Sequence, residues 1–177
     1  MGNIYRSPYE AYPFLADAPE DLRCDFELLT DELSSLTGLL AAKMEASGLG
    51  KGLQEELLWI DELIYHANPT LRTFFSIRPE EIRKLAERTR ELMKEAAGEV
   101  NRFVLPCGCE TAALAHVLRV KGKELVRLLY RHMHQGHEVP DGLMDFANLL
   151  SGYFFGLTLK LNRDAGVVER DFVSRNY

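Results

Sequence analysis

The chain has few cysteines, a single tryptophan and no apolar run long enough to cross a bilayer, and no segment alternates apolar and polar residues as a half-buried strand does. Each shortage excludes something. Cys24, Cys107 and Cys109 make an odd count without a disulfide framework, so a reducing, cytoplasmic setting is expected. The opening Met1-Gly2-Asn3-Ile4-Tyr5 lacks the apolar core of a signal peptide, and no contact with a membrane is expected. A formal charge of -6 argues against a nonspecific nucleic-acid binder. No internal repeat and no low-complexity block is present.

Apolar residues at helical spacing are abundant instead. A hydrophobic content of 46% over 177 residues suits one domain with a substantial core. Residues 1–16, rich in Tyr and Pro, suggest an irregular arm lying on the body or on a neighbouring subunit. Residues 17–164 carry the helical patterns, and residues 165–177 look like a polar tail. Asp17 and Glu20 have the spacing of a capping box. Leu29, Leu33, Leu36 and Leu40 then mark a first helix ending near Gly48, Gly50 and Gly52.

A second helix carries Leu53, Leu57, Ile60, Ile64 and Ala67 on one stripe and stops before Asn68-Pro69. Pro79 opens a third, with Ile82, Leu85, Thr89, Leu92 and Ala96 as its stripe and charged residues elsewhere, making it the most solvated. The fourth runs from about Cys109 to His134, interrupted only by Gly122. Pro140 and Asp141 open the fifth, where Leu143, Phe146, Leu150, Phe154, Leu157 and Leu161 are joined by Leu149, Tyr153 and Phe155. A helix apolar around most of its circumference is central or lies at a subunit contact. The expected fold class is all-α, a five-helix antiparallel bundle.

The segment Phe103-Val104-Leu105-Pro106-Cys107-Gly108 breaks an apolar run and opens into the fourth helix. Arg119, Lys123, Arg127 and Arg131 follow at fourfold spacing on one face, while Leu114, Val117, Leu118, Leu125 and Leu128 turn the other way. An isolated row of this kind is by default a solvated face. Its neighbours give it more weight here.

Phe103 to Pro106, Gly108, the alanine-rich helix entry, His116, Arg119 and Arg127 together resemble the core motif of the PduO-type ATP:corrinoid adenosyltransferases. Asp31-Glu32-Leu33-Ser34-Ser35 is similar to that family's Asp-Glu-Leu-Asn-Ser, and Asn148-Leu149-Leu150-Ser151-Gly152-Tyr153 to its Asn-Arg-Leu-Ser-Asp-Tyr. The resemblance covers residues 25–163. It implies a cobalamin adenosyltransferase-like bundle assembled as a homotrimer with sites between subunits. It also implies transfer of the 5'-deoxyadenosyl group of ATP to cob(I)alamin, giving adenosylcobalamin and tripolyphosphate, with Mg2+ on the nucleotide. An electron-donating reductase and an adenosylcobalamin-dependent acceptor enzyme are the implied partners.

The resemblance also implies roles. Phe103 matches the aromatic that fills the space of the lower axial ligand of cobalt; read locally, it is an ordinary packing residue. Asp31 matches a carboxylate that pairs across the subunit boundary with the arginine corresponding to Arg119, a corrinoid-side pair. Arg119, Lys123 and Arg127 match three arginines that contact nucleotide phosphates or shape the site, and form the implied catalytic set. Lysine offers a point charge where guanidinium offers a planar fork. Asn148 and Ser151 match a pair near the nucleotide.

Departures fall on the ATP side. The family's Thr-x-Thr-Gly-Asp phosphate loop has no counterpart between Met1 and Asp17. Val126 stands where the family has glutamate, Leu149 where it has arginine and Gly152 where it has aspartate. Lost carboxylates remove hard oxygen ligands for Mg2+. Either an active enzyme rebuilds the nucleotide pocket with Tyr5, Arg6, Ser7 and Tyr9, or the chain is a degenerate corrinoid carrier, sensor or storage protein.

Other signals are weaker. No metal site is expected: His132, His134 and His137 lie far from Cys107 and Cys109, roughly 35 Å along a continuous helix, and suit a helix C-terminus as cations. Cys107 and Cys109 could touch the corrinoid or act as redox thiols. Trp59 and Tyr65 are expected to pack, and His116 to be a satisfied core residue. An all-helical adaptor binding a protein partner through the fifth helix is the reading from a different class.

Overall fold

The structure, a computed structural model, describes residues 4–50, 52–96 and 103–176. Five helices account for its regular structure: α1 (Leu22–Ser47), α2 (Gln54–Ala67), α3 (Pro79–Glu95), α4 (Glu110–His134) and α5 (Asp141–Asp164). The bounds follow the expected stop and start signals closely. Gly48, at φ 67°, closes α1, α2 stops before Asn68-Pro69, and Pro79 occupies the first position of α3. The start of α1 differs. Asp21 is the cap, its carboxylate accepting from the backbone N–H of Arg23 at 3.1 Å. Asp17, expected in a capping box, pairs with Arg72 instead.

The main helix contacts run α2 on α1, α1 on α4, α4 on α5 and α5 on α3. Consecutive helices alternate in direction, as short connections dictate. Glu32 meets Lys121 while Lys43 meets Glu110, so α1 and α4 are antiparallel. α3 and α5, not consecutive, lie side by side and run the same way: Gly152 faces Thr89 and Arg163 pairs with Glu95.

Leu57, Ile60, Ile64, Leu125, Phe146, Leu150, Phe154 and Leu157 are fully enclosed in one contiguous core. Each such side chain stabilises the fold by about 1.5–3 kcal/mol relative to exposure. α5 is central, as its apolar circumference requires, and α3 buries only Leu85 and Leu92. Tyr153, buried on α5, donates to Glu56 at 2.8 Å, and Glu56 binds Arg88, so one phenol links α5, α2 and α3. Gly122 is required by packing: a Cβ there would lie 3.0 Å from the Ser151 backbone N.

Both ends are tied to the body of the bundle. The arm is docked through Arg72, whose guanidinium lies 3.7 Å from the Phe14 ring centroid and pairs with Asp17 and buried Glu27 at 2.6 Å each. The segment expected as a polar tail pairs with the loop before α4. Leu105 N–H donates to the Arg170 carbonyl and Phe172 N–H to the Phe103 carbonyl, both at 2.8 Å, around an antiparallel bridge between Val104 and Asp171. Residues 1–3 and Tyr177 lie outside the described residues. Among the described residues no helix is long and apolar enough to cross a membrane.

Candidate functional site

The loop 103–109 is held from two sides. Asn162, buried on α5, accepts from Cys109 N–H at 3.0 Å and donates to the Cys107 carbonyl at 3.1 Å and to Glu169 at 2.7 Å. The other brace is the backbone pairing with residues 170–172. The Phe103 side chain stands 71% exposed and lines a cavity. An aromatic ring at a cavity is open to contact with a ligand.

The cavity holds about 300 Å³ and is lined by Phe103 and Val104 from the loop, His116, Arg119 and Lys123 from α4, and Ser151, Gly152 and Phe155 from α5. The close approach of Gly122 to Ser151 sets α4 and α5 at this spacing, and Ser151 Oγ donates to the Arg119 carbonyl at 3.1 Å. The Arg119 guanidinium lies 5.9 Å from the Phe155 ring centroid. It makes no ion pair among the described residues, its Nε is buried without a partner, and burial pulls its pKa down. Among the described residues, cations and aromatics line the cavity and no carboxylate does. It is therefore suited to a ligand that combines a flat apolar face with anionic or polar groups.

The fourfold row of cations does not stay on one face. At 3.6 residues per turn each step of four drifts by about 40°. Arg119 is half-buried at the cavity and Lys123 sits at its rim, whereas Arg127 and Arg131 are exposed outside it. Val117, expected on the packed side, is 45% exposed for the same reason. Asn148 is one turn further along α5, exposed, with its amide donating to the Met144 carbonyl at 2.9 Å; it lines an adjoining cleft with Asp145, Thr89 and Gly152. Asp31 is exposed on α1 and lines a separate pocket with Tyr12, Tyr65 and Asn68. The structure thus brings together Phe103, Arg119, Lys123 and Ser151, and places Asp31, Arg127 and Asn148 outside the cavity.

Two expectations about single residues are corrected. Tyr65 is 61% exposed and does not pack, while half-buried Trp59 carries the Lys84 ammonium 3.9 Å from its ring centroid. His116 is buried but unsatisfied, with neither ring nitrogen hydrogen-bonded. Burial, and then the neighbouring Arg119 charge, lowers its pKa to about 4. At the far end of α4, His132 and His137 stack with centroids 4.4 Å apart. Parallel rings cannot converge their in-plane lone pairs on one ion, and among the described residues no group of three or more potential metal ligands occurs.

The sequence profile of the cobalamin adenosyltransferases matches residues 20–161. This chain belongs to that family. The corrinoid adenosyltransferase of Bacillus subtilis (strain 168) is 26% identical over 158 residues, spanning 86% of this chain and 81% of the relative. Solved structures share the fold. A PduO-type ATP:corrinoid adenosyltransferase from Lactobacillus reuteri, a phenylalanine-to-alanine variant complexed with cobalamin and ATP, superposes with a TM-score of 0.76 at 21% identity, covering 87% of each chain. An arginine-to-lysine variant of that protein complexed with ATP gives 0.70 at 24% identity over 88% of each chain.

The three positions at which the motif resemblance implies a charged residue have local structural correlates in this member of the cobalamin adenosyltransferase family. Val126 and Leu149 are half-buried and packed against the core. Gly152 faces Thr89 so closely that a Cβ would lie 3.2 Å from its methyl group. The sequence did not single out Phe155, which lines the cavity with Phe103, or Asn162, which braces the loop. An asparagine following the apolar stretch of α5 was the available signal for Asn162. Phe155 carried none, because an aromatic on that helix reads as core.

Proposed function

We propose that this protein transfers the 5'-deoxyadenosyl group of ATP to the cobalt(I) of a reduced cobalamin, releasing tripolyphosphate, at sites shared between copies of a homotrimer. The observation that carries the reading is Phe103, exposed at 71% at a cavity whose wall holds the unpaired Arg119. An aromatic face lying against the lower side of the corrin occupies the place of an axial donor. Without that donor cobalt(II) is easier to reduce.

Arg119 and Lys123 supply positive charge toward the triphosphate, stabilising the leaving group as the bond from the 5' carbon breaks. Arg127, Asn148 and Ser151 complete the nucleotide side in this reading. Asp31 is unpaired with Arg119 within one copy, and its exposure on α1 suits a pairing with Arg119 of a second copy. Among the described residues the cavity lining offers Mg2+ no carboxylate, which favours an ion carried in by the magnesium-ATP substrate. A cytoplasmic reductase and an adenosylcobalamin-dependent acceptor enzyme are the partners this chemistry calls for.

A second reading, a corrinoid carrier or sensor without transfer, is favoured by that same absence of carboxylates. Anaerobic incubation with reduced cobalamin separates the two. The transferase forms the carbon-cobalt product spectrum only when magnesium-ATP is added, and its melting temperature rises with ATP alone. A carrier shows a cobalamin-dependent rise only, with no product.

A further inference from the structure

His116 is only 4% exposed, and both of its ring nitrogens lack a hydrogen-bond partner among the described residues. It lines the cavity with Phe103, Arg119 and Ser151. The Nε of Arg119, one turn further along α4, is also buried and without a partner. Buried polar atoms left unpaired are costly, and nearly all in folded proteins are satisfied. The two ring nitrogens of His116, which no other proposed contact meets, call for a ligand that completes them.

The charge state of the ring narrows the ligand. Burial and the adjacent Arg119 keep the imidazole neutral, and the other charged group lining this cavity among the described residues, Lys123, has the same sign. A neutral imidazole carries one N–H donor and one acceptor nitrogen. A phosphate offers acceptors only and leaves the ring's lone pair unmet. A carboxamide or a hydroxyl both accepts and donates.

Carboxamides ring the edge of a corrin, and hydroxyls belong to the ribose of ATP. The aromatic side chains of Phe103 and Phe155 line this same cavity and favour the macrocycle as the neighbour of His116. We propose that His116 binds a peripheral carboxamide of the corrinoid and so sets which corrinoids the site accepts. This contact is separate from the axial position at Phe103, and it rests on the corrinoid reading given above.

The test uses the full chain, its His116→Phe and His116→Gln variants, and absorbance titrations with cobalamin and with its monocarboxylate derivatives, in which one propionamide is hydrolysed to a carboxylate. His116→Phe should melt no lower than the parent, because it removes two unsatisfied atoms at similar volume, yet bind cobalamin about tenfold more weakly. His116→Gln, which retains a donor and an acceptor, should recover most of that loss. The parent protein should reject at least one monocarboxylate isomer about tenfold. That preference should vanish in His116→Phe.

Uniform binding of every isomer by the parent overturns the proposal without recourse to any variant. Equal cobalamin affinity in parent and His116→Phe overturns it while leaving the corrinoid reading intact. If His116→Phe instead abolishes discrimination between ATP and its 2'- or 3'-deoxy forms, the group met is a ribose hydroxyl and the corrinoid assignment is wrong. A parent protein that binds no corrinoid ends both readings together.

Discussion

A Cβ on Gly108 would lie 1.9 Å from the Oδ1 of Asn162. The loop carrying Phe103 is thus threaded past the side chain that braces it, at a backbone φ of 135° that L side chains rarely adopt. Gly108→Ala is expected to lose about 2–4 kcal/mol through the clash and the strained dihedral together. Asn162→Leu should cost about 2–3 kcal/mol by leaving the Cys109 N–H and the Cys107 carbonyl unpaired. Urea denaturation measures both. Either change should also weaken cobalamin binding, since Phe103 loses its fixed position.

Gly122 sets the spacing of α4 and α5 against the Ser151 backbone. Gly122→Leu should destabilise by about 3 kcal/mol or more, because no rotamer clears a backbone atom and the helices must part. Thermal melting checks the loss. The Ser151 hydrogen bond to the Arg119 carbonyl would stretch with it.

Arg72 ties the N-terminal arm to the body through Phe14, Asp17 and the buried Glu27. Arg72→Met leaves the Glu27 carboxylate uncompensated, for a loss of about 3 kcal/mol. The arm should then be cut by protease while the bundle resists. Limited proteolysis followed by mass measurement reads that order directly.

Acid should destabilise the protein in a definite window. The folded His116 holds its pKa near 4, whereas the unfolded side chain titrates near 6.5. As pH falls below about 6.5 the unfolded chain takes up a proton that the folded chain refuses, so stability drops until about pH 4 and the contribution then levels off. The full effect amounts to about 3 kcal/mol, with His132, also lowered by burial, adding in the same direction. His116→Phe should flatten the dependence between pH 6.5 and 4. An unchanged slope in a pH series of urea melts would show that the ring is solvated.

Helix existence and bounds were legible because each rests on a local signal: the Leu53 to Ala67 stripe, Asn68-Pro69, Pro79 and Pro140. The motif around Phe103 was legible as a resemblance, whereas the 71% exposure of its ring was not. Contacts between distant segments were not legible. Residues 170–172 pair with 103–105, and Arg72 gathers Phe14, Asp17 and Glu27, through proximity that no periodicity records. The cationic row was read too regularly: fourfold spacing slips around the helix, leaving Arg127 beyond the cavity that Arg119 enters. The unpaired state of His116 was equally hidden, since satisfaction depends on neighbours from the whole fold.

The most direct measurement is the absorbance spectrum of cobalt(II) cobalamin bound to the protein in the presence of magnesium-ATP, for the parent chain and for Phe103→Ala. The parent should lose the spectral signature of a lower axial ligand, and Phe103→Ala should retain it. Retention of that ligand by the parent, or its equal loss in both proteins, would contradict the assignment of Phe103 as the wall beneath the corrin.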